Sequence, residues 1–266
     1  MFRTTADLAG DLRALGLGPG DAVMVHGAMR RVGPMLDGPD TLIDALLDVV
    51  APGGTVLAYT DWEAPYVELL DADGRCPAPW RDHVRGFDPA SSRSAREYGA
   101  LPEFVRTRPG ARRSGSPGAS VAALGADAAG FTDDHPLDYG YGPGSPLARL
   151  VEHGGKVAMI GAPRDTLTLL HHAEHLADLP DKRVISYEVP FATTAGVRWR
   201  PVEEFDTAEA VHESFDEDFF GRIVEEFVAT GGGREGPVGG APTLVVDAAP
   251  LCAFAVAWME AAVPRP

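Results

Sequence analysis

Cysteine is nearly absent from this sequence, with Cys76 and Cys252 the only two among 266 residues. Two thiols cannot build the disulfide framework of a small secreted domain, and without a CxxC spacing they do not announce a metal site. Both are expected to be reduced and structural. Long apolar runs are missing as well. No window approaches the ~20 apolar residues that cross a bilayer, and the opening Met1-Phe2-Arg3-Thr4-Thr5-Ala6-Asp7 lacks the apolar stretch of a signal peptide. A soluble, cytoplasmic protein with no membrane partner is the expectation. Positive charge is scarce: 23 Lys and Arg stand against 39 Asp and Glu, a formal net charge of -16. That excess opposes binding to a phosphate backbone and draws cations from a distance. Nucleic acid is therefore excluded, and a cationic small molecule is favoured. Internal repeats, low-complexity tracts and a clear linker are also lacking. With 45% hydrophobic residues, a chain of this length buries a sizeable core, and we expect a single domain over residues 1–266, as monomer or homodimer.

What is present is a rhythm of helix, Gly-rich turn and apolar strand. Leu8, Leu12 and Leu15 recur at helical spacing between Thr5 and Leu17, and the buried strand Ala22–His26 follows the turn. Thr41 to Val50 repeats the pattern with Leu42, Ile43, Leu46 and Leu47 inward, then Pro52-Gly53-Gly54 and the strand Thr55–Tyr59. Ser145 to Ile160 repeats it again, ending in the strand Lys156–Ile160. Alternation of this kind predicts an α/β fold, a three-layer sandwich with a largely parallel or mixed central sheet. Residues 61–120 are richer in Pro, Gly, Arg and Ser and read as irregular excursions that build the walls of a site. Further on, Ile185–Phe191 and Val197–Val202 read as a β-hairpin, Phe215–Ala229 as an acidic amphipathic helix, Thr243–Val246 as a strand and Leu251–Ala262 as a closing helix.

Three local signals have two or more readings. The acids Glu203, Glu204, Asp206, Glu209, Glu213, Asp216, Glu217 and Asp218 face little basic compensation. They are either a solvated face or a wall of a polycation-binding cleft. Arg13-Ala14-Leu15-Gly16-Leu17-Gly18 fits the RxxGxG pattern of a coenzyme A pyrophosphate loop, but such a loop leaves a strand and opens a helix. Here a helix runs into the glycines, which reads as a helix C-cap. His171, Glu174 and His175 spell HxxEH, the inverted zinc-peptidase spacing. Histidines at i and i+4 share a helix face and could hold one ion, but a third ligand is needed. Glu203, Glu204, Asp206 and Glu213 are available, and none is singled out. A plain helix explains the same letters.

The surrounding blocks extend the pattern. Leu169-Leu170-His171-His172-Ala173-Glu174, preceded by Thr168, is similar to the TxLHxAE region of the aminoglycoside 3-N-acetyltransferases. The resemblance continues in order through Val23–Gly33, Gly53-Gly54-Thr55, Phe87-Asp88-Pro89, Arg112-Arg113-Ser114, Tyr141–Leu147, Lys182-Arg183, Phe205-Asp206-Thr207, Gly236–Gly239 and Ala257-Trp258-Met259. Two blocks depart from the family pattern: Gly27-Ala28 replaces a hydroxyl pair or Ala-Ser, and Ser116 replaces a His.

The resemblance implies acetyl-CoA-dependent N-acetylation of the 3-amino group of the 2-deoxystreptamine ring of an aminoglycoside, and hence antibiotic resistance. Acetyl-CoA would be the co-substrate, and no metal is expected. His171 would be the general base, suited to the task because imidazole exchanges protons at working pH, and Glu174 would orient it or contact the ammonium. His26, Gly27, Ala28, Met29 and Arg30, with Ser114, Ser116, Ser120 and Ser145, are the expected coenzyme A residues. Asp61, Trp62, Glu63, Glu204, Asp206 and Glu213 are expected around the cationic acceptor. Acetylation of another amine in secondary metabolism, a zinc hydrolase built on His171, Glu174 and His175, and a non-enzymatic polyamine binder are the alternatives.

Overall fold

The structure is a computed structural model that describes residues 2–206 and 210–263. Met1, Thr207 and Glu209 of the segments discussed above lie outside the described residues. The strands are β1 (Ala22–Gly27), β2 (Thr55–Tyr59), β3 (Arg112–Arg113), β4 (Val121–Gly125), β5 (Lys156–Ile160), β6 (Val184–Thr193), β7 (Gly196–Phe205), β8 (Arg234–Val238) and β9 (Ala241–Asp247). The helices are α1 (Thr5–Ala14), α2 (Met29–Val32), α3 (Pro39–Val50), α4 (Ala78–Arg81), α5 (Leu101–Thr107), α6 (Ala128–Thr132), α7 (Pro146–Glu152), α8 (Leu169–Leu176), α9 (Phe219–Ala229) and α10 (Ala248–Ala262). Among the described residues, no helix is long and apolar enough to cross a membrane.

Seven strands form one sheet in the order β3-β4-β2-β1-β5-β9-β8. It is parallel at its centre, where β1 pairs with both β2 and β5, and antiparallel towards both edges. Helices cover both faces. Val23, Val25, Val56 and Ala58 point to one face and pack with Leu8 and Leu12 of α1, Leu42 and Leu46 of α3, and Leu101 of α5. Met24, Leu57, Val157 and Met159 point to the other, under α7, α8, α9 and α10. The period-2 alternation of strand side chains thus supplies two cores, as expected of a sandwich with both faces buried.

Local chemistry sets the element ends. Thr4 and Asp7 form a capping box that starts α1. At its other end Gly16 has φ +82, the Gly16 N–H donates to Arg13 O at 2.9 Å and the Leu17 N–H to Leu12 O at 3.2 Å. This pair of bonds is a Schellman motif, so the RxxGxG letters close a helix. Three strands have no counterpart in the sequence pattern: β3, of two arginines only, β4 and β8. β4 is largely Ala and Val, and β8 carries Gly236 and Pro237, which read as a turn but are tolerated at a sheet edge. α9 begins at Phe219 rather than Phe215: Phe215 keeps the helical spacing and stacks on Phe219, centroids 4.8 Å apart, from the preceding turn.

β6 and β7 form a separate two-stranded sheet, ten residues a side. A lone hairpin is marginal in water, and this one is tied to the irregular segment 61–98. The Phe87 N–H donates to Pro190 O at 2.7 Å, the Ala192 N–H to Phe87 O at 2.9 Å and the Glu188 N–H to Gly74 O at 2.7 Å.

Candidate active site

Chain order reverses at β1, with β2 on one side and β5 on the other. Open α/β sheets bind ligands outside the carboxyl ends of strands at such a switch point. His26 and Gly27 end β1 and Ala28 follows, Tyr59 ends β2 and Thr60 and Asp61 follow, and Gly161 to Thr168 lead from β5 into α8. Short connections therefore deliver most of the candidate residues to one edge of the sheet.

On α8, His171 and Glu174 are three residues apart and share a face. His171 Nδ1 lies 2.7 Å from Glu174 Oε2, with the Glu174 side chain 4% exposed and that of His171 24% exposed. An ionised carboxylate only accepts, so Nδ1 carries the proton and Nε2 keeps its lone pair. The His171 ring is held between Tyr141 and Phe220, each with its ring centroid 4.9 Å away. His172 points inward, donating from Nδ1 to Tyr141 O at 2.8 Å, and burial pushes its pKa down. His175 turns elsewhere: its ring packs edge-on against Phe205, and its Nε2 is 3.0 Å from Glu204 Oε1, at ion-pair distance but off the hydrogen-bond axis. His171 and His175 thus have different carboxylate partners. Among the described residues, no three His, Cys, Asp or Glu side chains are grouped as metal ligands.

Tyr141, whose ring packs against that of His171, lines a cleft of about 970 Å³. Asp61, Glu63, Glu68, Asp71, Glu97 and Glu204 line it, with Arg96 the one cation among the described lining residues. Tyr59, Trp62, Tyr66, Tyr98, Tyr141 and Tyr187 supply flat aromatic wall. The Tyr59 and Tyr141 hydroxyls are 2.6 Å apart and share the Gly118 carbonyl. Asp61 accepts from the Trp62 N–H at 2.6 Å, and burial raises its carboxyl pKa to about 7 despite that bond and the nearby Arg113 guanidinium. Glu204 is anchored through Oε1, which accepts from the Phe205 N–H at 2.8 Å and faces His175.

The predicted acceptor residues divide accordingly. Asp61, Trp62, Glu63 and Glu204 line the cleft; Asp206 and Glu213 do not. The strand pleat turns Glu203 away to Tyr139, and the chain leaves the cleft after Glu204: the Asp206 N–H bonds to Arg183 O at 3.0 Å, and Glu213 is exposed. Glu68, Asp71 and Glu97 escaped the sequence reading because they lie in the aperiodic stretch 61–120. Tyr59 carried a signal, as an aromatic at the carboxyl end of a buried strand.

The predicted coenzyme A residues divide as well. Ser116 lines the cleft. Ser114, Ser120 and Ser145 are fully buried, and their hydroxyls are already engaged. Ser114 Oγ accepts from the Val121 N–H at 2.9 Å and lies 2.8 Å from His135 Nδ1; Ser120 donates to Thr60 O at 3.0 Å; Ser145 caps α7, accepting from the Ala148 N–H at 3.1 Å. All three hydroxyls are thus buried and bonded within the protein. His26 is half-buried, but its Nε2 is sealed from solvent with no hydrogen-bond partner among the described residues, and burial lowers its pKa to about 4. Gly27, Ala28 and Met29 continue from it at the switch point, and Arg30 is exposed. A second cavity of about 490 Å³ opens between Arg31, Arg164 and Glu235.

The family model described as aminoglycoside 3-N-acetyltransferase matches residues 24–260. Aminoglycoside N(3)-acetyltransferase VII of Streptomyces paromomycinus is 44% identical over 270 residues, covering 97% of this chain and 91% of that protein. Among solved structures, AAC-IIIb in its binary form with CoASH has a TM-score of 0.98 at 61% identity, with 100% of both chains covered. AAC-VIa bound to sisomicin has a TM-score of 0.94 at 38% identity, again with 100% of both chains covered.

Proposed function

Because the chain belongs to the aminoglycoside 3-N-acetyltransferase family, we propose that it moves the acetyl group of acetyl-CoA onto the 3-amino group of the 2-deoxystreptamine ring of an aminoglycoside, with His171 as general base. The chain is an aminoglycoside N-acetyltransferase, and acetylation of the drug confers resistance. One observation carries the finer reading: the part-exposed His171 has Nδ1 bound to the buried carboxylate of Glu174, beside a cleft lined by acids.

Acetyl-CoA supplies an activated thioester. The acceptor nitrogen is a poor nucleophile while protonated, so a base must take its proton as it attacks. His171 Nε2 has the free lone pair for this, and the Glu174 carboxylate steadies the imidazolium that results. Asp61, Glu63, Glu68, Asp71, Glu97 and Glu204 hold the other ammonium groups of the acceptor, and the tyrosines pack against its ring faces. On the coenzyme side, the orphaned His26 Nε2 is the kind of buried polar atom that a pantetheine amide satisfies. Gly27, Ala28, Met29 and Arg30 adjoin it, and Ser116 offers a hydroxyl at the cleft. A single catalytic domain over residues 1–266 belongs to the same reading, supported by one sheet whose two faces draw on helices from both ends of the described chain.

The test is thiol release from acetyl-CoA in the presence of kanamycin-, gentamicin- and apramycin-like acceptors, with the modified nitrogen located by NMR. The expected result is turnover with at least one acceptor, and a fall of about 10²–10⁴-fold in kcat for His171→Ala. Inactivity towards the whole panel, or a His171→Ala variant with the parent kcat, overturns the reading.

A further inference from the structure

The buried threonine hydroxyls of this protein are almost all engaged. Thr41 accepts from the Asp37 N–H at 3.1 Å and Thr55 from the Asp127 N–H at 3.0 Å. Thr60, Thr132 and Thr243 donate to the carbonyls of Ser120, Ala128 and Ala241 at 3.2, 2.8 and 3.1 Å. Thr168 is the exception among the described residues: it is 6% exposed, and its hydroxyl makes no hydrogen bond. A hydroxyl without a protein partner in so buried a place is available to a ligand.

Position supplies no ordinary partner either. Thr168 is the N-cap of α8, where a threonine normally bends its hydroxyl back to the first-turn amides from an extended backbone. Here φ is -55 and ψ is -27, a helical conformation, and no capping bond forms. The residue one turn later is His171, whose N–H donates to Thr168 O at 3.1 Å. Side chains at i and i+3 are neighbours, with Cβ atoms about 5–6 Å apart. The unpaired hydroxyl therefore stands next to the imidazole that accepts the amine proton. The Ser94 hydroxyl is also unpaired, but it is sealed from solvent; that of Thr168 is not.

We infer that the Thr168 hydroxyl donates a hydrogen bond to the thioester oxygen as that oxygen becomes an oxyanion, an inference that rests on His171 being the base of acetyl transfer. In the first half of the step the amine nitrogen bonds to the acetyl carbon, the carbonyl π pair moves onto oxygen, and the amine proton passes to His171 Nε2. In the second half the pair returns, the carbon–sulfur bond breaks, and coenzyme A leaves as a thiolate that takes up the His171 proton. The oxygen carries charge only between the halves, and a donor already in place then needs no reorganisation. Because Thr168 and His171 are on one helix, donor and base keep a fixed separation.

Thr168→Val removes the hydroxyl at nearly constant shape, and Thr168→Ser keeps it. Thr168→Val should lower kcat by about 10²–10³-fold, the range for loss of one oxyanion donor. Its KM values for acetyl-CoA and for the aminoglycoside should stay within about twofold of the parent, as expected when only a transition-state interaction is lost. Its Tm should stay close to that of the parent, since no hydrogen bond within the protein is lost. Thr168→Ser should recover most of the lost kcat. Parent-like kcat in Thr168→Val, a loss expressed in KM or Tm instead, or a Ser variant as slow as the Val variant overturns the inference. If His171→Ala is inactive while Thr168→Val is not, only the Thr168 role fails; if the parent acetylates no aminoglycoside, the functional reading fails first.

Discussion

Asp61 shows how a single residue can tie acceptor binding to pH. Its carboxyl titrates in the folded protein at about 7 because burial disfavours the charged form. A cleft carboxylate attracts ammonium only when ionised, so its contribution to acceptor affinity should be present above about pH 7 and lost below it. The effect on stability has the opposite sign. Between the unfolded value of about 4 and the folded value of about 7, the native state retains a proton that the unfolded chain has released, so stability falls as pH rises through this window. Asp61→Asn should flatten the acceptor KM between pH 6 and 8 and raise Tm at pH 8, read from initial rates and thermal melts across that range. A parent-like pH profile of KM in the variant would remove Asp61 from acceptor binding. The pair His171 and Glu174 was legible only through the family resemblance, since the same letters also spell a zinc site or a plain helix; three positions apart on α8, the two side chains meet on one face. The engagement of the Ser114 and Ser120 hydroxyls was not legible for the opposite reason: their bonding partners come from β4, the loop at His135 and the end of β2, which residue type does not reveal.

At the scale of elements, the cleft depends on how the β6–β7 hairpin docks against the segment 61–98. Gly74, at φ +70, meets the hairpin so closely that a Cβ would stand 2.1 Å from Ser186 O and 2.8 Å from Tyr187 Cα. Both contacts are backbone, which cannot yield as a flexible side chain does, and the conformation is strained for any residue but glycine. Gly74→Ala should therefore loosen the wall that carries Tyr187 and Glu204. The acceptor KM should rise by about tenfold or more with little change in the acetyl-CoA KM, and limited proteolysis should open the hairpin first. Equal losses for both substrates would mean that the hairpin does not serve the acceptor alone. The hairpin itself was readable from its alternating apolar residues, and the central strands and α3 from their periods. β4 and β8 were not, because alanine has weak strand preference and Gly-Pro in an edge strand looks like a turn. Both are antiparallel additions beyond the helix–turn–strand rhythm; the parallel pairing ends at β4 on one side of the centre and at β9 on the other.

For the whole molecule, the net charge of -16 acts on the two substrates with opposite sign. A polycationic aminoglycoside is drawn towards the protein, while the phosphates of acetyl-CoA are repelled. The acids that would steer it are not those of the densest run: Glu213, Asp216, Glu217 and Asp218 are exposed, and Asp216 is paired with Arg222, whereas the cleft gathers its carboxylates from three stretches of chain, Asp61 to Asp71, Glu97 and Glu204. Raising ionic strength from about 0.01 to about 0.15 M shortens the Debye length from about 30 to about 8 Å. The kcat/KM for the aminoglycoside should then fall steeply, while that for acetyl-CoA holds or rises. Glu97→Gln, within the cleft, should weaken the aminoglycoside salt dependence more than Glu217→Gln, outside it. Steady-state rates at four or five salt concentrations decide the matter. Parallel falls for both substrates would point to a general effect of salt on the enzyme, and equal effects of the two substitutions would show that the net charge, not the cleft, does the steering.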